Sequence, residues 1–483
     1  MITKLNKTTA EKVSRPIQIL QFGEGNFLRA FVDWMIDIAN EKGVMNAGVV
    51  ICKPRNNSEK KSLTTIDLLN SQDNMYHVYL EGIENKVPRK DIRLVKSVMD
   101  AIHPCEDYAK YEAYILSPEL KMIVSNTTEA GIRYEEEDLS ACPPKSYPAK
   151  IAALLYKRFK HFEGDLTKGL AIICCELIEN NGSTLHEYVI RHAKHNHLDD
   201  AFINWVEHSC SFCDTLVDRI VPGFPHDNID EIKNEIGYDD NLVVRGELFH
   251  LWAIGGAGYE DVQKLLPLDK AGFNVTFMPS IKQFRDKKVR ILNGSHTGMV
   301  TIALLMGCQT VLDAFNTPDI ELFINRMVDE EVIPMIDEDP AELKLFAASI
   351  LERFYNPHIK HMLKSISLNS LSKWEARNYP TLRDYWFKAG KIAKHECMTF
   401  AALMAYYSPK SGFEPDDTPE FVQYIRNNWD SDNLEDTLTK IVMQSGIFTV
   451  DFSEIADFIP TVACYVKEIE EMGMAAALKK FLG

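Results

Sequence analysis

No stretch of this chain supplies the roughly eighteen uninterrupted apolar residues that a membrane-crossing helix needs. No secretory h-region follows the polar, mixed-charge segment from Met1 to Pro16. The expectation is a cytoplasmic protein without a membrane partner. Positive charge is in short supply too: 53 lysines and arginines face 70 aspartates and glutamates, a net charge of −17. That balance argues against nucleic acid as a partner, yet leaves room for a local basic pocket that binds a small anion. Ten cysteines in 483 residues do not make a disulfide framework. Cys174 and Cys175 fall in an apolar, strand-like run, and Cys210-Ser211-Phe212-Cys213 is a lone Cys-x-x-Cys without a second pair. Zinc at that pair is an alternative that nothing else supports, and no metal is expected. Repeats and low-complexity segments are also missing. What remains is an ordinary globular composition, 46% hydrophobic and 25% charged, long enough for two or three domains.

Ile17 to Phe22 reads as a strand, and Gly23-Glu24-Gly25-Asn26-Phe27 follows at once. Apolar residues then recur at helical spacing from Leu28 to Ala39, and Ala47 to Cys52 is a second buried strand. Strand, glycine turn, helix and strand open a dinucleotide-binding unit, in which Gly23 permits the tight turn and Gly25 lets backbone amides approach a pyrophosphate. Two parts of the usual fingerprint are absent. Leu28 stands where the third glycine would be, and Lys53-Pro54-Arg55 follows the second strand where an acidic residue usually holds the adenosine ribose. Lys53 and Arg55 suit a 2′-phosphate, so NADP is an alternative to NAD. A structural turn would give the same letters.

Met122 to Val124 is a further buried strand, running into Ser125-Asn126-Thr127-Thr128-Glu129-Ala130-Gly131. Small polar residues after a strand are what the carboxyl edge of a parallel sheet uses to hold a ligand. Leu170 to Cys174 ends at Glu176-Leu177-Ile178-Glu179-Asn180-Asn181-Gly182, where Asn181 is either a second amide donor near a reacting oxygen or a turn asparagine. His192, His195 and His197 suggest a solvated helix face. Asp218 and Arg219 form either a structural ion pair or a substrate-binding element.

The densest chemistry lies at Lys288-Val289-Arg290-Ile291-Leu292-Asn293-Gly294-Ser295-His296, ahead of an apolar run from Met299 to Met306. Asn293, Gly294 and Ser295 read as the entrance of a helix, with Asn293 and His296 on one face and Lys288 on the segment leading in. A desolvated lysine can act as a base near neutral pH, a carboxamide can donate to a developing oxyanion, and an imidazole can hold a hydroxyl. A surface lysine, a capping asparagine and a satisfied histidine would look alike. After Pro279 nearly every segment has helical length and period, including Pro318 to Asp329, Glu342 to Phe354, Ile392 to Tyr407 and Pro460 to Phe481. The expected fold is therefore an α/β Rossmann-type domain over 1–279 and a mostly α-helical domain over 280–483. Arg353 to His361, with Lys364 and Lys373, concentrates positive charge, giving either a charged surface or an anion pocket.

Taken together, the chain resembles the polyol-specific long-chain dehydrogenases, the mannitol dehydrogenase family, along essentially its whole length. The resemblance rests on Gln21 to Phe31, Ser125 to Gly131, Val217-Asp218-Arg219-Ile220, Lys288 with Asn293 and His296, and Arg353-Phe354 with Asn356-Pro357. Within the family it is most similar to the branch that interconverts tagaturonate and altronate; fructuronate or polyol dehydrogenation is the alternative, and a catalytically silent nucleotide sensor the rival outside the class. Glu176-Leu177 departs from the Asp-Asn usual in the mannitol and fructuronate enzymes. The resemblance implies metal-independent hydride transfer with NAD(H), Lys288 as general acid/base, Asn293 and Asn181 as oxyanion donors, and His296 as the substrate-positioning group. It implies a cofactor held by Phe22, Gly23, Gly25, Asn26, Phe27 and Arg29 and by Asn126, Thr127 and Thr128. Asp218, Lys360, His361, Lys364 and Lys373 are the substrate-binding candidates, and a monomer or weak homo-oligomer is expected.

Overall fold

Six apolar segments form the parallel part of a central sheet: β1 (Ile17–Phe22), β2 (Gly48–Cys52), β3 (Val98–Ile102), β4 (Met122–Ser125), β5 (Ala171–Cys174) and β6 (Ser211–Asp218). Two more, β7 (Leu251–Gly255) and β8 (Val275–Met278), complete eight strands in the order β3-β2-β1-β4-β5-β6-β7-β8. β7 runs antiparallel to β6, and every other neighbouring pair is parallel. This computed structural model describes residues 2–55, 63–84, 87–127, 131–358 and 360–483. The chain divides into two units, Met1–Gly82 with Pro88–Lys282 and Ile83–Val87 with Gln283–Gly483.

Successive side chains of these strands alternate between two apolar clusters. Ile19, Val49, Ile51, Val124 and Ile173 enter one, and Leu20, Val50, Ile123 and Ile172 enter the other. Burial of both faces is why the strands read as continuous apolar runs and not as alternating ones. The strand order reverses between β1 and β4, the point at which a doubly wound sheet opens a crevice beyond its carboxyl ends. The turn after β1 and the loops after β4 and β5 therefore emerge at one edge of the sheet.

The second unit is helical. Lys394–Tyr407 is buried on every side after its first residue, as expected of a helix apolar around its whole circumference. It packs against helices Gly294–Leu305 and Phe458–Met472. The helix expected from Pro460 to Phe481 is two helices, because Gly473 at φ +81° takes a conformation that ends the first of them. Among the described residues no helix is long and apolar enough to cross a membrane.

Candidate active site

One glycine shapes the turn after β1 and another keeps it open. Gly23 sits at φ +139°, where a Cβ would lie 2.9 Å from Leu28 Cδ1 and 3.0 Å from the Asn126 carbonyl oxygen. Leu28, in place of a third glycine, fills the space that Gly23 leaves. At Gly25 an added Cβ would meet no protein atom within 4 Å, so packing does not demand a glycine. A ligand approaching the backbone is the remaining physical reason for one. The helix that starts at Asn26 has no side-chain cap, which leaves its first N–H groups for an anionic group. These features fit a dinucleotide.

Other residues of that motif hold the loop from behind. Arg29 is buried and donates from Nε to the Glu24 carbonyl at 3.2 Å, from Nη1 to the Leu242 carbonyl at 2.8 Å and from Nη2 to Asn26 Oδ1 at 2.7 Å. Its guanidinium also lies over the Tyr76 ring. Arg29 thus shapes the loop instead of touching a cofactor, and Asn26, held by it, does the same. The Phe22 ring packs between Tyr111 and Tyr147 in the core, so its side chain is likewise structural. Phe27 stacks on Phe31 at a ring distance of 4.9 Å.

At the ends of β4 and β5, Glu176 ties the edge together. Its Oε1 accepts from the Thr127 N–H and hydroxyl, both at 2.9 Å, and its Oε2 accepts from the Ser125 hydroxyl at 3.1 Å. Burial raises this carboxyl above its ordinary range against the lowering effect of those hydrogen bonds. Asn126 donates from Nδ2 to the Cys175 carbonyl at 3.1 Å. Thr128 lies outside the described residues. Nothing in the sequence marked Glu176 as the knot, because its partners come from a different strand.

Asn181 does not have the expected role. Its Nδ2 donates to the carbonyls of Cys174, Glu176 and Thr215 at 3.1, 2.9 and 3.2 Å, and its Oδ1 accepts from the N–H groups of Gly182 and Thr215, both at 2.9 Å. A buried amide with every group engaged has no donor left for an oxyanion, so Asn181 locks β5 to β6. Leu177, at the family position of the missing asparagine, is 62% exposed. Asp218 ends β6, half-buried and paired in register with Leu251. Arg219 is anchored by backbone: buried, it donates to the carbonyls of Ala30, Leu248 and Phe249, and among the described residues it forms no ion pair. Cys210 and Cys213 pack into opposite apolar clusters of the sheet, so they cannot grip one zinc ion. His192 is buried against Tyr134, at a ring distance of 4.7 Å, and is not part of a solvated face.

In the second unit, the stretch read as a helix entrance is the middle of a longer helix. Lys282–Lys288 continues through a π turn, Val289–Asn293, into Gly294–Leu305. Asn293 has helical angles, φ −73° and ψ −34°, and the Gly294 N–H donates to the Val289 carbonyl five residues back. Packing overrides the local cost of a glycine in mid-helix, about 1 kcal/mol. The Gly294 carbonyl accepts from Asn378 Nδ2 at 3.2 Å, and Asn378 also donates to Glu396 Oε2 at 2.9 Å. Burial, then the neighbouring Glu331, holds the Glu396 carboxyl up at about 8. The π turn has a consequence for Lys288. Residues five apart are near neighbours where hydrogen bonds run i to i+5, so Lys288 and Asn293 come to one side of the helix, and His296 follows Asn293 on that face.

Positive charge gathers around His296. Its ring packs against Phe354, tilted by 31°, at 4.3 Å between centroids and meets the His361 ring at 5.3 Å. Burial lowers its pKa well below the ordinary value, and His361, Arg353, Arg377 and Lys288 lower it further. Nε2 of His296 is shielded from solvent and has no hydrogen-bond partner among the described residues. Lys373, half-buried, donates to the Ile366 carbonyl at 3.0 Å, and its pKa is lowered by burial and then by Arg377. Lys360 and Lys364 are exposed, and the electrostatic neighbours of His296 are Arg353 and Arg377 instead. Arg377 escaped the sequence reading, since only the fold of its helix, Ser370–Arg377, puts it here. Among the described residues no group of three or more histidines, cysteines or acids could hold a metal ion.

Comparison with known proteins agrees with this architecture. Residues 17–266 match the mannitol dehydrogenase Rossmann domain and residues 280–470 the mannitol dehydrogenase C-terminal domain. The chain is 40% identical to an altronate oxidoreductase of Bacillus subtilis over 99% of its own length and 98% of that protein. It is 39% identical to one from Bacteroides thetaiotaomicron over 99% of both. Among solved structures, a D-sorbitol dehydrogenase in substrate-free form superposes with a TM-score of 0.81 at 19% identity, covering 99% of this chain and 100% of that one. A Pseudomonas fluorescens mannitol 2-dehydrogenase, in ternary complex with NAD and D-mannitol, superposes with a TM-score of 0.69 at 20% identity and 99% coverage of both chains. With both domains matched and such relatives along its full length, the chain belongs to the mannitol dehydrogenase family and is a dehydrogenase of secondary alcohols.

Proposed function

We propose that the chain reversibly reduces the ketone of tagaturonate to the alcohol of altronate, with NAD(H) as the cofactor. The observation that carries this reading is the π turn that brings Lys288 and Asn293 to one side of a helix beside a half-buried, uncharged His296. The full-length relatives named altronate oxidoreductase support the choice of sugar acid. The NAD in the mannitol 2-dehydrogenase complex supports the cofactor.

The nicotinamide, when bound, supplies or accepts the hydride. The chain's own residues handle the proton and the charge. Lys288 Nζ gives a proton to the ketone oxygen during reduction and takes it from the hydroxyl during oxidation. Asn293 donates a hydrogen bond to the charge that develops on that oxygen. His296, kept neutral, has one ring nitrogen as an acceptor and one as a donor, and so orients a substrate hydroxyl. Gly23 shapes the turn, its N–H donating to the Cys52 carbonyl at 3.1 Å, while Gly25 and the first turn of the helix at Asn26 present backbone N–H groups to the pyrophosphate.

A second cofactor reading has one specific observation behind it: Lys53 and the exposed Arg55 follow β2, where a 2′-phosphate would lie. The test is a panel of tagaturonate, fructuronate, fructose and their reduced partners, each with NADH or NADPH and with NAD or NADP. Turnover of tagaturonate with NADH well above all other pairs is expected. Turnover of fructuronate or fructose with none of tagaturonate rejects the proposal.

A further inference from the structure

Resting on the reading of the substrate as a sugar acid, we infer that Arg377 is the specificity-determining residue that receives the substrate carboxylate, with Lys373 beside it. The two stand four positions apart on helix Ser370–Arg377, so they share a face. Arg377 is half-buried, and its Nη1 donates to the Thr297 hydroxyl at 3.1 Å. Thr297 directly follows His296, so the guanidinium is anchored one residue from the group that faces the substrate.

What distinguishes Arg377 is its company. Cations nearby on the Lys288 helix are neutralised: Lys287 pairs with Glu338 at 2.6 Å, and Arg290 pairs with Asp286 at 3.0 Å and Asp384 at 2.7 Å. Arg377 meets no carboxylate among the described residues, and its side-chain hydrogen bond goes to a neutral hydroxyl. Its charged neighbour is Lys373, which does not neutralise it, and the uncharged ring of His296 supplies no counter-charge. Leaving a half-buried guanidinium without a counter-charge beside a second cation is unfavourable in the chain alone, and a bound carboxylate offsets it. A guanidinium also presents the planar fork that a carboxylate accepts in two parallel hydrogen bonds, which a lone ammonium does not. A neutral ketose or hexitol offers hydroxyl oxygens as acceptors but no counter-charge to this pair.

The experiment compares wild type with Arg377→Gln on tagaturonate and on fructose, a neutral ketose, with NADH; fructose is read as a competitive inhibitor where its turnover is too slow. The expected result is a rise in KM for tagaturonate of roughly 10- to 100-fold, the range for losing hydrogen bonds to a charged group. KM or Ki for fructose and the Kd for NADH should stay within about twofold, less than any lost charged contact would give. An unchanged KM for tagaturonate, or an equal rise for both sugars, overturns the inference. Should Arg377→Gln fail to fold, Arg377→Lys is read in the same way, a larger rise for tagaturonate than for fructose supporting the inference and equal effects overturning it. A wild-type enzyme that turns over neutral sugars and no hexuronate refutes the proposed function itself, a result distinct from either of these.

Discussion

The two units treat their enclosed arginines in opposite ways. In the Rossmann unit, Arg158 donates to the carbonyls of Ile115, Ser117, Leu120 and Lys168, Arg219 to those of Ala30, Leu248 and Phe249, and Arg29 to those of Glu24 and Leu242. These guanidiniums staple loops, and burying them is tolerable because the backbone satisfies them. In the helical unit, Arg377 has one neutral hydroxyl, and positive charge from Lys288, Arg353 and Arg377 converges on His296. An enclosed cation surrounded by carbonyls is architecture, whereas one left with hydrogen-bonding capacity is equipment for an anion. The residue type alone does not distinguish them.

Substitutions can break this contrast or sharpen it. Lys288→Ala should reduce turnover by roughly two to four decades, the range for a general acid/base, with NADH affinity intact in a fluorescence titration. Near-normal turnover would remove Lys288 from the mechanism. Gly25→Ala should fold as the wild type does, because the new methyl group meets no protein atom within 4 Å, and should weaken NADH binding roughly tenfold or more, the scale of a lost charge-assisted hydrogen bond. Gly23→Ala, by contrast, should lower the melting temperature as well, since its Cβ would crowd Leu28 and Asn126. Asn181→Ala should cost about 1–3 kcal/mol of stability, the penalty of unpaired buried groups, with no loss of kcat beyond what partial unfolding explains. A selective collapse of kcat in a stably folded Asn181→Ala enzyme would restore the oxyanion role denied to it here.

The smallest effect concerns pH. His296 has a lowered pKa in the folded chain, so the unfolded chain binds its proton more readily. Its contribution to stability is present above the ordinary histidine range and is lost as pH falls below about 6.5. His296→Gln should therefore lose less stability than wild type between about pH 6.5 and 5, as measured by thermal melts. The wild-type rate profile should show no step near the ordinary histidine pKa from this residue.

Much of the fold was legible in the sequence because burial on both sheet faces leaves uniform apolar runs, as in Ile17–Phe22, Gly48–Cys52 and Ala171–Cys174. Gly23 was legible for the same local reason: a tight turn directly after a strand. The failures are all tertiary. Asn293, Gly294 and Ser295 have the chemistry of a helix start, yet packing against Asn378 carries the helix straight through them. Asn181 has the chemistry of an oxyanion donor, but three carbonyls, from β5, the loop after it and β6, converge on it. Arg29 sits inside a cofactor motif and turns its guanidinium toward the protein. Arg377 lies 81 residues after His296, and no local pattern could connect them.

The most direct test of the account follows a labelled hydride. NADH carrying deuterium at the transferred position, incubated with enzyme and tagaturonate, should yield altronate with one deuterium at the former carbonyl carbon, at a rate that collapses in Lys288→Ala. Altronate formed without the label, or labelled altronate formed at an undiminished rate in Lys288→Ala, would contradict the account.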